Sequence, residues 1–471
     1  MAALRSVFSL AFLLFSFRPV TAAIDVSAYS NVIYRDVAII GGGSAGTYTA
    51  IRLLQNNKTV AVVEKQDRLG GHVNTYVDPQ TGATFDYGVI GFDNISVVTN
   101  YFSYLGIGLQ PLVFKTGIQE FANFMTGSMV SASDLPSETD QGTALYEFGQ
   151  LEMQYPWLDL GFSLPNPVPA QLLMPFGQFL QQNGLQALNF ISFVVLEGLG
   201  NILAQPTLYV MKYFPPISVN NYLYGGEVTS ENYDNQALYD SALAKIGSSA
   251  FLSSNVVQIE RGAFSVKVLI NTPSGPKLIV ARQLVIAIPP KIGKLEKIGL
   301  DLTATETNLF SQFNNSYYWD MVIRNSGIPD DVSINNWDPS APLSMPPLPG
   351  IYEFGSTGLP GLHVSYYSSP HSLTNDEVKA DVLATLARIT AANGFPTNGT
   401  PEFVEFHNHQ PFFLTVSPTA IQNGFYNHVN ALQGTKNTWW TGAAWQTQDS
   451  SLIWNFTEYQ ILPRILQSLE Y

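Results

Sequence analysis

Gly41, Gly43 and Gly46 follow the apolar residues 37–40 at the spacing G-x-G-x-x-G. A turn of this kind can bind the diphosphate of a dinucleotide. Gly41 permits the tight bend, Gly43 lets the backbone approach the phosphates, and Gly46 lets the next helix pack close to the strand. Ser44 and Ala45 complete the turn, and a helix follows over residues 47–54 with Ala50, Ile51 and Leu54 inward. Its first N–H groups can hold an anion. Residues 60–63 read as a second buried strand, closed by Glu64 with Lys65 beside it. An acid at that place accepts hydrogen bonds from the adenosine ribose and repels a 2′-phosphate, which disfavours NADP and leaves NAD or FAD.

The next loop narrows the choice. Arg68 can pair with phosphate, and the double glycine Gly70-Gly71 lets the chain run close along a pyrophosphate. The segment resembles the R-x-G-G-R-x-x-S/T motif of the flavin amine oxidase superfamily. Arg68, Gly70, Gly71 and Thr75 match it, and His72 stands where the motif has its second Arg. The resemblance implies FAD. Phe85-Asp86-Tyr87-Gly88 is similar to the superfamily segment that enters the substrate region. Residues 256–259 and 264–268 read as a strand pair, and in the family the first strand supplies backbone contacts to adenine, here at Val257. Residues 284–290 form an apolar strand halted by Pro289 and Pro290, which cannot continue a central strand. Thr441-Gly442-Ala443-Ala444-Trp445 resembles the closing FAD motif. A helix over 452–466, kinked at Pro463, is expected to aim the N–H groups of Leu452 and Ile453 at the flavin.

A narrower resemblance rests on RLGGHVNTY at 68–76, HNHQPFFLTVS at 407–417 and LQGTKNTWWTGAAW at 432–445. These stretches are similar to the beta-cyclopiazonate dehydrogenase family, exported fungal FAD-dependent oxidoreductases. The resemblance implies two-electron oxidation of a small apolar or aromatic metabolite, by dehydrogenation or oxidative cyclisation, in secondary-metabolite biosynthesis. Two alternatives keep the fold: a flavin-dependent double-bond isomerase of unsaturated fatty acids, and a non-catalytic binding protein.

No catalytic residue is fixed by pattern. Amine oxidases commonly place a Lys five residues after the second proline. That position is Leu295 here, with Lys294 one short. Phe412 and Phe413 lie near one of the family's two substrate-framing aromatic positions, and Leu452 falls near the other, so a full aromatic cage is not expected. His407 and His409 share a face if they lie on a strand; either is a candidate for a general base, His409 among them, or for a structural hydrogen bond. His363, in an alternating pattern, reads as a surface or lining residue. No metal set can be placed, and the absence of cysteine removes thiolate metal sites, disulfides and any sulfur-linked flavin.

The elements that must position these residues interleave along the 471-residue chain. An α/β, Rossmann-like FAD-binding domain is expected over about residues 30–95, 235–295 and 425–471, with an α+β substrate domain over 96–234 and 296–424. Helices are expected at 171–180 and 185–203. Another, around Val378 to Leu386, is capped by Thr374 and Glu377. Aromatic residues make up 13% of the chain, enough for both a core and a pocket suited to a planar ligand.

Charged residues are only 12%, and the formal net charge is −14, with no basic cluster for nucleic acid or an anionic membrane. Arg5, the apolar residues 7–17 and the small residues before position 24 read as a signal peptide over 1–23. Export to the secretory lumen or beyond agrees with N-x-S/T acceptors at Asn57, Asn94, Asn314, Asn398 and Asn455. The apolar residues 187–203 are interrupted by polar ones and glycines and read as buried, not membrane-spanning.

Overall fold

The computed structural model describes residues 23–113, 117–396 and 399–470. The proposed signal peptide and Asn398 lie outside them, apart from Ala23. Among the described residues no helix is long and apolar enough to cross a membrane.

The strand Val32–Ile40 forms the centre of a seven-stranded sheet. It pairs in parallel with Val60–Val63 on one side and Gly275–Ile286 on the other. Val37, Ala38 and Ile39 are fully buried, as a parallel strand covered on both faces requires. Gly275–Ile286 also pairs in parallel with Thr438–Trp440 and antiparallel with Val266–Thr272, which pairs with Asn255–Arg261. Strands from three distant stretches of chain therefore build one sheet. The helix Ser44–Gln55 packs on it because Gly46 has no side chain: a Cβ there would lie 1.9 Å from the Gly41 carbonyl oxygen.

A second, six-stranded sheet runs in the order 402–408, 317–324, 362–369, 350–356, 332–336, 118–122. The helix Asn375–Asn393 covers one face, with Val378, Val382, Leu386 and Ile389 packed among Trp319, Met321 and Ile323. Thr374 and Glu377 form the expected capping box. Short helices between residues 138 and 224 fill the space beside both sheets.

Three expected helices differ. Residues 171–180 are split into Ala170–Leu173 and Phe176–Asn183, because Pro175 cannot donate inside a helix. Residues 185–203 are a 3₁₀ turn, the short helix Asn189–Val195 and a second 3₁₀ turn. Gly198 and Gly200 adopt positive φ there. A Cβ on Gly198 would lie 2.3 Å from Phe412 Cε1, so the helix gives way to a close turn. The last helix starts at Ser450, runs to Phe456, widens into a π-helical turn at Thr457–Ile461 and resumes at Leu462–Ser468. Pro463 has no N–H for the preceding turn, so the widening comes before it.

Arg261 ties the strand Asn255–Arg261 to the helix Ala304–Phe310. Its guanidinium bonds both oxygens of Glu306, at 2.6 and 2.8 Å, and Asp301 at 2.6 Å. Burial pushes the Glu306 carboxyl up, but the hydrogen bonds and charge of Arg261 and the Thr303 cap outweigh it, leaving the carboxyl below its ordinary value. Arg261→Ala strands Glu306 and is expected to cost about 3–5 kcal/mol in denaturant unfolding. In the wild type the contribution of Glu306 is present above the unfolded glutamate value of 4.5 and lost as pH falls through the lower folded value. Unfolding midpoints measured down the acid range check this.

Candidate cofactor and substrate site

The site grows out of one bend. Gly41 adopts φ +101° and donates its N–H to Val63. The Gly42 N–H donates to Glu64 Oε2 at 2.7 Å, and the other oxygen of Glu64 accepts the Gln66 N–H at 2.8 Å. Glu64 is thus buried but spent on backbone donors, with lone pairs to spare. The double-glycine loop lies against the bend: Gly70 donates to the Gly42 carbonyl at 2.9 Å. A Cβ on Gly71 would sit 2.9 Å from Gly43 Cα. The third loop closes from the far end of the chain. Ser44 Oγ donates to Ser450 Oγ at 2.9 Å, Trp454 Nε1 donates to the Ser44 carbonyl, and Gly442 lies beside Ala45. Ser253 and Ser254 donate to the backbone of Gln66 and Glu64, bringing the strand that carries Val257 alongside. Val257 itself is 41% exposed, and Lys65 is exposed.

Two expectations about donors change. Arg68 turns inward: Nη1 donates to the Val73 carbonyl and Gln236 Oε1, at 2.8 and 2.7 Å, and Nη2 donates to Asn74 Oδ1 at 2.6 Å. It fastens the loop to the start of the helix Gln236–Ile246 and does not face outward for a phosphate. The Leu452 N–H donates to Asp449 Oδ1 at 2.8 Å and the Ile453 N–H to the Asp449 carbonyl at 3.0 Å. Both are therefore taken within the chain. Burial pushes the Asp449 carboxyl up, and burial followed by the Asp449 charge pushes Asp93 up to about 8. Asp86 accepts from Thr75 Oγ1 at 2.5 Å and from the Asn235 N–H at 3.0 Å, and burial pushes it up to about 7.

Next to the glycine loops the two sheets meet through side chains. The His72 ring lies 4.3 Å from His409 and stacks on Phe412 at 5.6 Å. Burial, then the neighbouring His409 and Lys294, hold His72 well below the usual histidine range, so it is neutral. His409 Nε2 bonds Asp320 Oδ2 at 2.9 Å, and Asn74 Nδ2 donates to the same oxygen at 3.0 Å. Lys294 Nζ donates to the Gln410 carbonyl at 2.9 Å, and burial lowers it to about 8. Leu295, at the counted position, is fully buried core.

The other candidates separate. Phe413 packs on Tyr209 and Tyr213 in the core, away from His72. His407 bonds Tyr87 and Glu405, not Asp320, because the strand ends at Asn408 and the chain turns before His409. His363 is fully buried, bonded to Ser326 and to the carbonyls of Pro329 and Val332, and so lines no surface. Among the described residues no group of three or more histidines and acids is arranged for a metal. Asp320, Asn74 and Asp449 escaped the sequence reading. The one available signal was an acid in the middle of the apolar strand Tyr317–Arg324, where a lone charge is costly.

A family model of the NAD(P)-binding Rossmann-like domain matches residues 39–105. The FAD-dependent oxidoreductase oblC of Cochliobolus heterostrophus is 37% identical, covering 93% of this chain and 92% of its own. Beta-cyclopiazonate dehydrogenase of Aspergillus oryzae is 32% identical, with 93% and 94% covered. The chain belongs to this family of fungal FAD-dependent oxidoreductases. FAD is the cofactor of this family member. Solved structures share its fold: a CLA-producing fatty acid isomerase from P. acnes has a TM-score of 0.73 at 20% identity, covering 91% of this chain and 99% of its own. Putrescine oxidase bound to putrescine gives 0.64 at 16%, with 93% and 100% covered.

The residues of this oxidoreductase fit a bound dinucleotide. A Cβ on Gly43 would meet nothing within 4 Å except Gly71 Cα at 3.6 Å, which leaves the backbone open to a close ligand. Gln66 Oε1, beside Glu64, is buried without a hydrogen-bond partner and can take a polar group of the ligand. Gly71→Ala adds a Cβ against Gly43 at a φ of +63°. We expect it to weaken FAD retention at least about tenfold, the effect of some 1.4 kcal/mol. Released flavin per chain, read from the visible spectrum, measures this.

Proposed function

We propose that this enzyme is exported and oxidises a small, flat, apolar or aromatic metabolite by two electrons, by dehydrogenation or oxidative ring closure, in secondary metabolism. The observation that carries the reading is a wall of near-parallel rings beside His72. Phe412 stacks on Tyr318 at 4.7 Å and 24°, and Tyr318 on Tyr366 at 6.2 Å and 7°. Offset rings of this kind favour a planar partner. From the middle ring of the wall Tyr318 donates to Glu197 at 2.7 Å. Burial pushes Glu197 well above the usual range and Glu353 up to about 7. Glu197 therefore holds a proton and offers an O–H donor to a neutral ligand, in place of a fixed charge for a small cation. The name of the relative beta-cyclopiazonate dehydrogenase agrees with a dehydrogenation.

The backbone of residues 43–46 would hold the diphosphate, Glu64 the ribose, and the loops at Gly71 and Gly442 the flanks. When bound, FAD supplies the two-electron acceptor. The chain's part is to seat the substrate along the aromatic wall that Phe412 holds together, exclude water with the surrounding tyrosines, and hold protons on Lys294 and Glu197.

Screening the holoenzyme anaerobically against planar phenolic and indolic metabolites is expected to find one that bleaches the flavin in step with product. Turnover without bleaching or acceptor use would make the enzyme the double-bond isomerase instead. Phe412→Ala is expected to raise KM about tenfold through lost stacking while FAD content stays, as read by steady-state kinetics and absorbance.

Export rests on the N-terminal pattern and the acceptor sites. Asn57, Asn94 and Asn314 are exposed, whereas Asn455 is half-buried on the last helix. Protein secreted from a fungal host is expected to lose mass with endoglycosidase. Gln at each of the three exposed positions should remove one glycan, and an unglycosylated, retained product would refute export.

A further inference from the structure

Asp320 is 1% exposed, between the fully buried Trp319 and Met321. Burying an acid there costs several kcal/mol unless its oxygens are bonded. The bonds form a directed chain. Arg68 donates to Asn74 Oδ1, which turns the Asn74 amide so that Nδ2 faces Asp320. A carboxylate only accepts, so the 2.9 Å contact assigns the His409 proton to Nε2. Nδ1 then carries a lone pair, and among the described residues no hydrogen bond reaches it. Backbone fixes the ring as well: the His409 N–H donates to the Tyr318 carbonyl at 3.0 Å. The imidazole lies at the edge of the aromatic wall, 6.1 Å from the Tyr318 ring and 6.4 Å from Phe412. Around it stand neutral His72, Lys294 bonded to Gln410, Tyr318 bonded to Glu197, and the more distant Arg68 and Lys65.

We propose that His409 Nδ1, held by the positioning residue Asp320, takes a proton from the substrate as the substrate is oxidised, and that the substrate therefore carries an acidic O–H, a phenol or enol, conjugated with the C–H that is lost. This deepens the oxidation proposed above and rests on it. In the step the C–H bond breaks and its electron pair leaves as hydride to the family's FAD. The O–H bond breaks and its pair becomes the second bond of a new C=O or quinone-methide carbonyl. The proton forms an N–H bond at Nδ1. The substrate loses two electrons and two hydrogens, a hydride for which bound FAD would be the acceptor and a proton to Nδ1, and the imidazolium stays neutralised by Asp320.

The test uses 4-nitrophenol, whose spectrum separates phenol from phenolate, titrated into oxidised holoenzyme across pH. The wild type is expected to bind it as phenolate, with its apparent pKa lowered by about one unit or more, a tenfold shift of the equilibrium. His409→Gln should bind the probe with that shift gone. Asp320→Asn should also lose it, because an amide can donate to Nε2 and move the ring proton to Nδ1, and Asp320→Glu should restore part of it. Nitrogen-15 spectra of histidine-labelled holoenzyme should show the His409 ring, assigned by its absence in His409→Gln, as the Nε2–H tautomer, converted in Asp320→Asn. The inference is overturned if the wild type binds neutral phenol or none, or if the shift survives in His409→Gln. Because these readouts need no turnover, they stand apart from the oxidation itself: a holoenzyme that ionises the probe but reduces its flavin with no metabolite would sink the oxidation proposal alone.

Discussion

Everything in this structure leans on backbone meeting backbone without a side chain between. The Gly41 carbonyl oxygen occupies the place where a Cβ of residue 46 would stand, 1.9 Å away, and Gly43 Cα lies 2.9 Å from where a Cβ of residue 71 would be. Those two approaches clamp a strand, a helix and the following loop into one bend. Once they are clamped, Ser44 can reach Ser450 and Trp454 can reach the Ser44 carbonyl, so the far end of the chain is drawn in as well. The resulting site is walled by main-chain polar groups and small residues. It suits a ligand that is itself long, thin and polar along one edge.

A second constraint ties the cofactor loops to the substrate sheet. In a chain with only 12% charged residues, the buried Asp320 and His409 are linked through Asn74 to the half-buried Arg68. Such groups are destabilising singly and tolerable only as a bonded set. Their orientation is therefore determined throughout: every donor meets an acceptor, from Arg68 through Asn74 and Asp320 to the imidazole beside the aromatic wall.

Much of the cofactor half, and one helix of the substrate half, was legible because the signals are local. The buried strand of residues 37–40, the glycine spacing, the capping box at Thr374 and Glu377, and the proline stop at 289–290 each depend on neighbours a few residues away. The misjudged helices at 185–203 and 452–466 failed for the opposite reason. Gly198 breaks its helix to fit beneath Phe412, which lies more than two hundred positions later in the chain. The wide turn at Thr457–Ile461 carries Glu458 to Arg52 and Tyr48, partners that no window around Pro463 contains. Arg68 reads as a phosphate ligand until Gln236 and Asn74 are brought beside it.

The amino-acid sequence by itself determined that a dinucleotide fold is present and where its bend lies, because backbone conformation and strand burial are written in residue type and short spacing; FAD rather than NAD came from the resemblance to the flavin amine oxidases. Tertiary structure alone decided that His409 is in the site while His407 and Phe413 are not, that Lys294 rather than Leu295 faces it, and that Asp320 is the acid that holds the imidazole. Those outcomes depend on which elements pack face to face across long stretches of chain, and a change in that packing reassigns every side-chain partner while leaving the local pattern untouched.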